Sequence, residues 1–169
     1  MGENYTIISG TNRPGSRTSQ VARHYRQEME SLGITPQFIS LEGWKYLDRT
    51  PEFDALERDI LTPTDKFIII CPEYNGSIPG VLKVMFDISD YKKVWWGKKA
   101  LLTGVATGRS GNLRGMEHLT GILHYLHVVV HPNKLPISSV DKLLNGTGVI
   151  HDSGTLEAIH TQLEEFFQF

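Results

Sequence analysis

Four consecutive residues, Phe67-Ile68-Ile69-Ile70, carry no polar side chain and are mostly β-branched. The run is too short for a globular helix and reads as a strand. A strand with no polar face must be covered on both sides, which is the situation of a central strand in a parallel sheet. Parallel strands are joined by crossover connections that carry helices. The run therefore predicts helices on both faces of a sheet, and the remaining sequence has to supply them.

It does so by alternation. Residues 5–9 form a short apolar run that ends at Gly10, a strand feeding a turn. Over 18–32, Val21, Tyr25, Met29 and Leu32 recur at helical spacing, and Gly33 supplies the stop signal. Residues 35–41 read as a second strand, 53–61 as a short helix, and 66–71 as the buried third strand. A helix is predicted over 79–90, with Pro79 suited to its first turn. A fourth strand follows at 99–105, a helix at 114–126, a fifth strand at 128–131 and a closing helix at 155–167. Strand and helix in this rhythm define βαβ units and a doubly wound α/β fold in one domain, residues 1–169. Such folds bind ligands beyond the carboxyl ends of their strands. Three loops fall there, at 10–18, 72–79 and 106–113.

The first of these, Gly10-Thr11-Asn12-Arg13-Pro14-Gly15-Ser16-Arg17-Thr18, joins a strand to a helix and is rich in hydroxyls. Amides at a helix start lack internal partners and carry the positive end of the dipole, so they favour an anion. Thr11, Ser16 and Thr18 can donate to phosphate oxygens, and Arg13 can add a charge-assisted pair. The Walker A pattern fails because Ser16-Arg17 follows Gly15, and the dinucleotide Gly-x-Gly-x-x-Gly pattern is absent. A hydroxyl-rich loop of this length suits a terminal monoester phosphate such as that of flavin mononucleotide (FMN); the same residues also read as a solvated turn with an N-cap. In the second loop, Tyr74 offers a surface for a flat ring, and Asn75-Gly76 offer backbone donors. A tight turn capping a helix accounts for that segment equally. In the third loop, Gly108 and Gly111 permit close backbone approach, and Arg109 faces either a pyridine-nucleotide phosphate or water.

Composition excludes several classes of function. The formal net charge is −2, which provides no field for nucleic acid or an anionic membrane. No apolar stretch approaches the ~18 residues of a membrane span. The opening Met1-Gly2-Glu3-Asn4 lacks the marks of a secretory signal, and the single cysteine, Cys71, suits a reducing compartment. A cytoplasmic protein with no nucleic-acid or membrane partner is the expectation.

Two motifs carry a resemblance. Gly10-Thr11-x-Arg13-x-Gly15-Ser16-x-Thr18, with Pro72-Glu73-Tyr74-Asn75-Gly76-Ser77-Ile78-Pro79-Gly80-Val81-Leu82-Lys83, resembles the NADPH-dependent FMN reductase family, a group that includes small quinone, azo-dye and chromate reductases. The resemblance covers nearly the whole chain. It implies a flavodoxin-like three-layer sandwich with a five-stranded parallel sheet in the order 2-1-3-4-5. It also implies FMN phosphate on Thr11, Arg13, Ser16 and Thr18, and the isoalloxazine beside Pro72, Glu73, Tyr74, Asn75 and Gly76. Further flavin contacts would come from Thr107, Gly108 and Gly111, and the assembly would be a homodimer or homotetramer. The sequence departs from the family's usual pattern at Thr11 (usually Ser), Thr18 (usually Asn), Val84 (usually Asn) and Ser110-Gly111-Asn112 (often Gly-Gly).

The expected reaction takes a hydride from NADPH or NADH, through FMN, to a quinone, azo compound, metal oxyanion or free flavin. The cofactor would perform the chemistry, so no protein nucleophile is needed and Glu73 and Asp87 take structural roles. An electron carrier and a non-enzymatic FMN redox-sensing module are the rival readings; carriers tend to be strongly acidic, which this chain is not. His118, His124, His127 and His131 lack the spacing of a metal site. Cys71 is assigned to core packing, Trp95-Trp96 to a subunit interface, and Trp44 and Tyr46 to a ring cover or an interface.

Overall fold

The computed structural model describes residues 2–45 and 47–169. Its elements run β1 (Tyr5–Ser9), α1 (Arg17–Ser31), β2 (Gln37–Ser40), α2 (Pro51–Leu56), β3 (Lys66–Pro72), α3 (Gly80–Ile88), α4 (Tyr91–Val94), β4 (Lys99–Val105), α5 (Leu113–Tyr125), β5 (Val129–Val130), β6 (Leu135–Ile137) and α6 (Ser153–Gln168). All the strand pairings are parallel, in the order β2-β1-β3-β4-β5, with β6 also on β4. This is the predicted order, with one strand more than expected.

The apolar run behaves as its composition requires. Every residue of β3 is buried. Phe67, Ile69 and Cys71 enter one core cluster with residues of α3 and α5, whereas Ile68 and Ile70 enter a second with residues of α1 and α6. Alternate side chains thus feed two cores on opposite faces of the sheet. Helix α1 turns Val21, Ala22, Tyr25 and Met29 inward, and α6 does the same with Ile159, Leu163 and Phe166. Between these two helices Tyr25 donates its hydroxyl to Gln162 Oε1 at 2.6 Å, and Gln162 Nε2 donates to the carbonyls of Leu102 and Asn133. Buried polar groups are tolerated here because each has a partner.

Several boundaries differ from the sequence reading, three of them with a physical reason. The fifth strand, expected over 128–131, is shorter, Val129 and Val130 pairing with Lys99 and Ala100, and an unforeseen strand follows, Leu135 to Ile137 pairing with Thr103 to Val105. Pro132 falls between the two strands and has no amide for the ladder. The helix expected over 79–90 divides. Pro79 is the N-cap of α3 rather than part of its first turn, Ser89 ends α3, and Asp90 caps α4 by accepting from the amides of Lys92 and Lys93. The helix expected at 53–61 begins two residues earlier, capped by Thr50, and ends in a π-helical turn over Glu57–Leu61.

The aromatic assignments also change. Trp95 is a core residue, not an interface residue: it is fully buried, tilted against Phe67 and edge-on to Phe86, and donates from Nε1 to Ser89 Oγ at 2.7 Å. Trp96 is 49% exposed and stacks on His127. Trp44 meets Phe53 edge to face, and Tyr46 lies outside the described residues.

Candidate functional site

The carboxyl ends of β1, β3 and β4 are adjacent, so the three loops predicted to matter meet over one edge of the sheet. The first begins at Gly10, whose amide donates to Ile70 O at 2.9 Å. A side chain here would lie 3.0 Å from Leu82 Cδ2 and 3.1 Å from Ile70 O, which is why glycine serves. Thr11 is buried, with Oγ1 hydrogen-bonded to the Tyr74 hydroxyl. Ser16 caps α1, accepting from the Ser19 amide. The amides of Arg17 and Thr18, in the first turn, have no acceptor among the described residues. The hydroxyls of Ser9 and Ser19, flanking the loop, are buried and equally unpartnered.

The second loop is a tight hairpin. Tyr74 and Ser77 exchange amide-to-carbonyl bonds in both directions. Asn75 and Gly76 at its tip both have positive φ, 53° and 77°, the conformation of a type I′ turn. Their amides have no acceptor among the described residues. The third loop is held from behind. Asn112, in left-handed conformation ahead of α5, donates from Nδ2 to Cys71 O at 2.9 Å. Cys71 itself is sealed in the core, and burial pushes its thiol up to about 12, so it stays protonated and inert at neutral pH.

A cavity of about 330 Å³ opens between these loops. Arg13, Ser16, Thr18, Pro72, Glu73, Tyr74 and Thr107 line it together. Arg13 lies over the Tyr74 ring with its guanidinium carbon 4.1 Å from the centroid, a cation–π contact that holds both side chains at the cavity wall. Glu73 accepts from Ser110 Oγ. The other predicted residues sit around this cavity rather than in its lining. Thr11 supports Tyr74 from below, and Asn75 and Gly76 form the hairpin tip. Gly108 accepts from the Ser139 amide, and Gly111 packs on Pro136 of β6. Arg109 is exposed. Val140, which also lines the cavity, was not foreseen; it reaches the site only because β6 aligns beside β4, a long-range pairing with no local signature.

The donor set fits FMN. Unpaired helix amides, two hydroxyls and two arginines, Arg13 and Arg17, suit a dianionic phosphate, and the free hairpin amides suit the polar edge of a flavin. Doubly wound sheets of this order place FMN at the switch between the first and third strands, where these groups converge.

The sheet defines a flavodoxin-like α/β protein whose first loop turns unpaired amides, hydroxyls and arginines toward a cavity at the carboxyl end of the strands. Its sequence from residue 4 to 142 matches the NADPH-dependent FMN reductase family, and the chain belongs to that family. It is 33% identical to a quinone reductase of Escherichia coli over 190 aligned positions, covering 100% of this chain and 97% of the relative. A 2-hydroxy-1,4-benzoquinone reductase of a Burkholderia species is 25% identical, with 95% and 92% of the two chains covered. Among solved structures, FerB of Paracoccus denitrificans, a flavoenzyme NAD(P)H:acceptor oxidoreductase, superposes with a TM-score of 0.77 at 19% identity, covering 98% of this chain and 96% of that one.

Proposed function

We propose that this chain, as one FMN-binding unit, carries a hydride from NAD(P)H through FMN to quinone-type acceptors. Family membership makes FMN the cofactor and a nicotinamide nucleotide the reductant. The quinone reductases among its relatives point to the acceptor class. The observation that carries the reading is the convergence of unpaired α1 amides, Ser16, Thr18 and Arg13 on one cavity walled by Tyr74.

In this reading Arg13, Ser16 and Thr18 hold the phosphate, with Thr11 fixing Tyr74 behind them. Pro72, Glu73, Tyr74 and the amides of Asn75 and Gly76 orient the ring. Thr107, Gly108 and Gly111 set the shape of the third wall. When bound, the flavin supplies the redox chemistry, accepting a hydride and later releasing it; the protein fixes its position and excludes water. Purified protein reconstituted with FMN should show flavin absorbance, and that absorbance should bleach anaerobically with NADPH or NADH. A protein that stays colourless with excess FMN, or a flavin that neither nucleotide reduces, would overturn the reading. The second outcome would favour an electron carrier.

The exposed aromatics Tyr91, Trp96 and Tyr125 lie around one depression beside α4 and α5. We assign self-association, as a homodimer or homotetramer, to this patch, since aromatic residues are enriched at interfaces. Trp96→Glu should shift the sedimentation coefficient toward that of the monomer; an unchanged value would place the interface elsewhere. A cytoplasmic location is the proposal that best suits a single buried cysteine.

A further inference from the structure

Strand β2 lies parallel to β1, so the turn that follows it emerges beside the first loop. Residues 41–44 are fastened there by hydrogen bonds. The Leu41 amide donates to Ser9 O at 3.3 Å, and the Gly43 amide donates to Asn12 O at 3.1 Å. Asn12 Nδ2 in turn donates to Trp44 O at 3.3 Å, and Leu41 is buried in the core. Glu42 is thus held between two anchored neighbours.

Its side chain reaches the loop as well. The Gly15 amide donates to Glu42 Oε1 at 3.4 Å. A carboxylate therefore already sits on the loop whose other donors suit a phosphate. Glu42 has no ion pair among the described residues. Arg13, the arginine nearest in kind to a partner, is stacked on Tyr74 instead. Gly15 lines the cavity and Glu42 does not, so the carboxylate blocks no ligand and acts on one only through its charge.

We propose that Glu42 sets how firmly the flavin is held, its carboxylate repelling the phosphate that Arg13, Ser16 and Thr18 attract. Like charges raise each other's free energy, and a dianion doubles the effect of a single carboxylate. Glu42 is exposed, so water and salt screen the repulsion and keep it modest. The target is the phosphate, the group that distinguishes FMN from riboflavin. Glu42 therefore lowers the preference for FMN over riboflavin together with the affinity, and a flavin held less firmly exchanges faster with the free pool. The assignment rests on the FMN reading and adds a residue that opposes the cofactor's binding.

The test titrates FMN and riboflavin into flavin-stripped wild type, Glu42→Gln and Glu42→Lys, at low and at high ionic strength. Glutamine keeps a carbonyl oxygen for the Gly15 amide and removes only the charge, whereas lysine reverses it. At low ionic strength Glu42→Gln should bind FMN about fivefold more tightly than wild type, the upper end for an exposed charge pair. Glu42→Lys should bind it more tightly still. Riboflavin affinity should be the same in all three, and the differences in FMN affinity should shrink at high salt. FMN binding to Glu42→Gln that is unchanged or weaker would overturn the assignment, leaving Glu42 as an anchor of the Gly15 turn. Riboflavin binding that tightens in step with FMN would overturn it too, because the phosphate would then not be the group repelled. A wild type that binds no FMN would instead overturn the reductase reading, and the inference with it.

Discussion

Gly104→Val should destabilise the fold by about 3 kcal/mol, the upper end for overpacking, and remove FMN retention with it. Gly104 sits in β4, between Cys71 of β3 and Pro136 of β6. A Cβ on Gly104 would fall 2.1 Å from Gly111 O and 3.1 Å from Asn112 Cβ. The nearest collision is with backbone, which no rotamer change relieves. Strand β4 cannot retreat, because both of its neighbours are hydrogen-bonded to it, so the third loop must move. That movement would pull Asn112 from Cys71 O and draw Thr107 away from the cavity wall. For a domain of this size, the cost corresponds to a fall in Tm of about 6–12 °C. Gly146→Ala is the matched control, since it is exposed, lies outside the cavity lining, and has nothing within 4 Å of its added Cβ. Differential scanning calorimetry with and without FMN reads both effects. A variant of Gly104 that melts like the control would show that the strand and the third loop are not packed as described.

The same region shows what the sequence makes legible. The central strand is apparent from four residues because covering both faces leaves no polar position, and the split of Phe67 and Ile69 from Ile68 and Ile70 between two cores follows from strand pleating. The helix cap at Ser16 is visible in the sequence, and the same local residues make its loop a candidate anion site because capping and anion binding draw on the same groups. The break between α3 and α4 was local too: Ser89-Asp90 is a stop followed by a cap, but the helical spacing of its flanks masked it. Other features depend on partners distant in sequence. The register of β6 on β4, the arrival of Val140 at the cavity, and the burial of Trp95 between Phe67 and Phe86 have no pattern within their own segments. Adjacent tryptophans look alike in sequence. One packs in the core and the other faces out because Trp95 lies on the core side as α4 ends and Trp96 follows it around the turn.

Arg13→Ala should weaken FMN binding by about 1.5–3 kcal/mol, the range for a hydrogen bond to a charged group, or about 10- to 150-fold in Kd. Two contributions are removed together. The guanidinium is the only cation of the cavity lining that also stacks on an aromatic wall, among the described residues. Removing it would delete the bidentate partner proposed for the phosphate and release Tyr74 on its upper side, leaving the Thr11 bond to hold the ring from below. Arg13→Lys separates the two, because lysine keeps the charge but loses the planar fork and much of the stacking. Its loss should be smaller than that of Arg13→Ala. The difference between the variants should also shrink at high salt, since screening weakens the remaining point charge. Fluorescence titration of FMN into flavin-stripped protein measures all three affinities. If Arg13→Ala binds FMN as tightly as wild type, the phosphate is not held by Arg13, and the cradle would have to be rebuilt around Arg17 and the α1 amides alone.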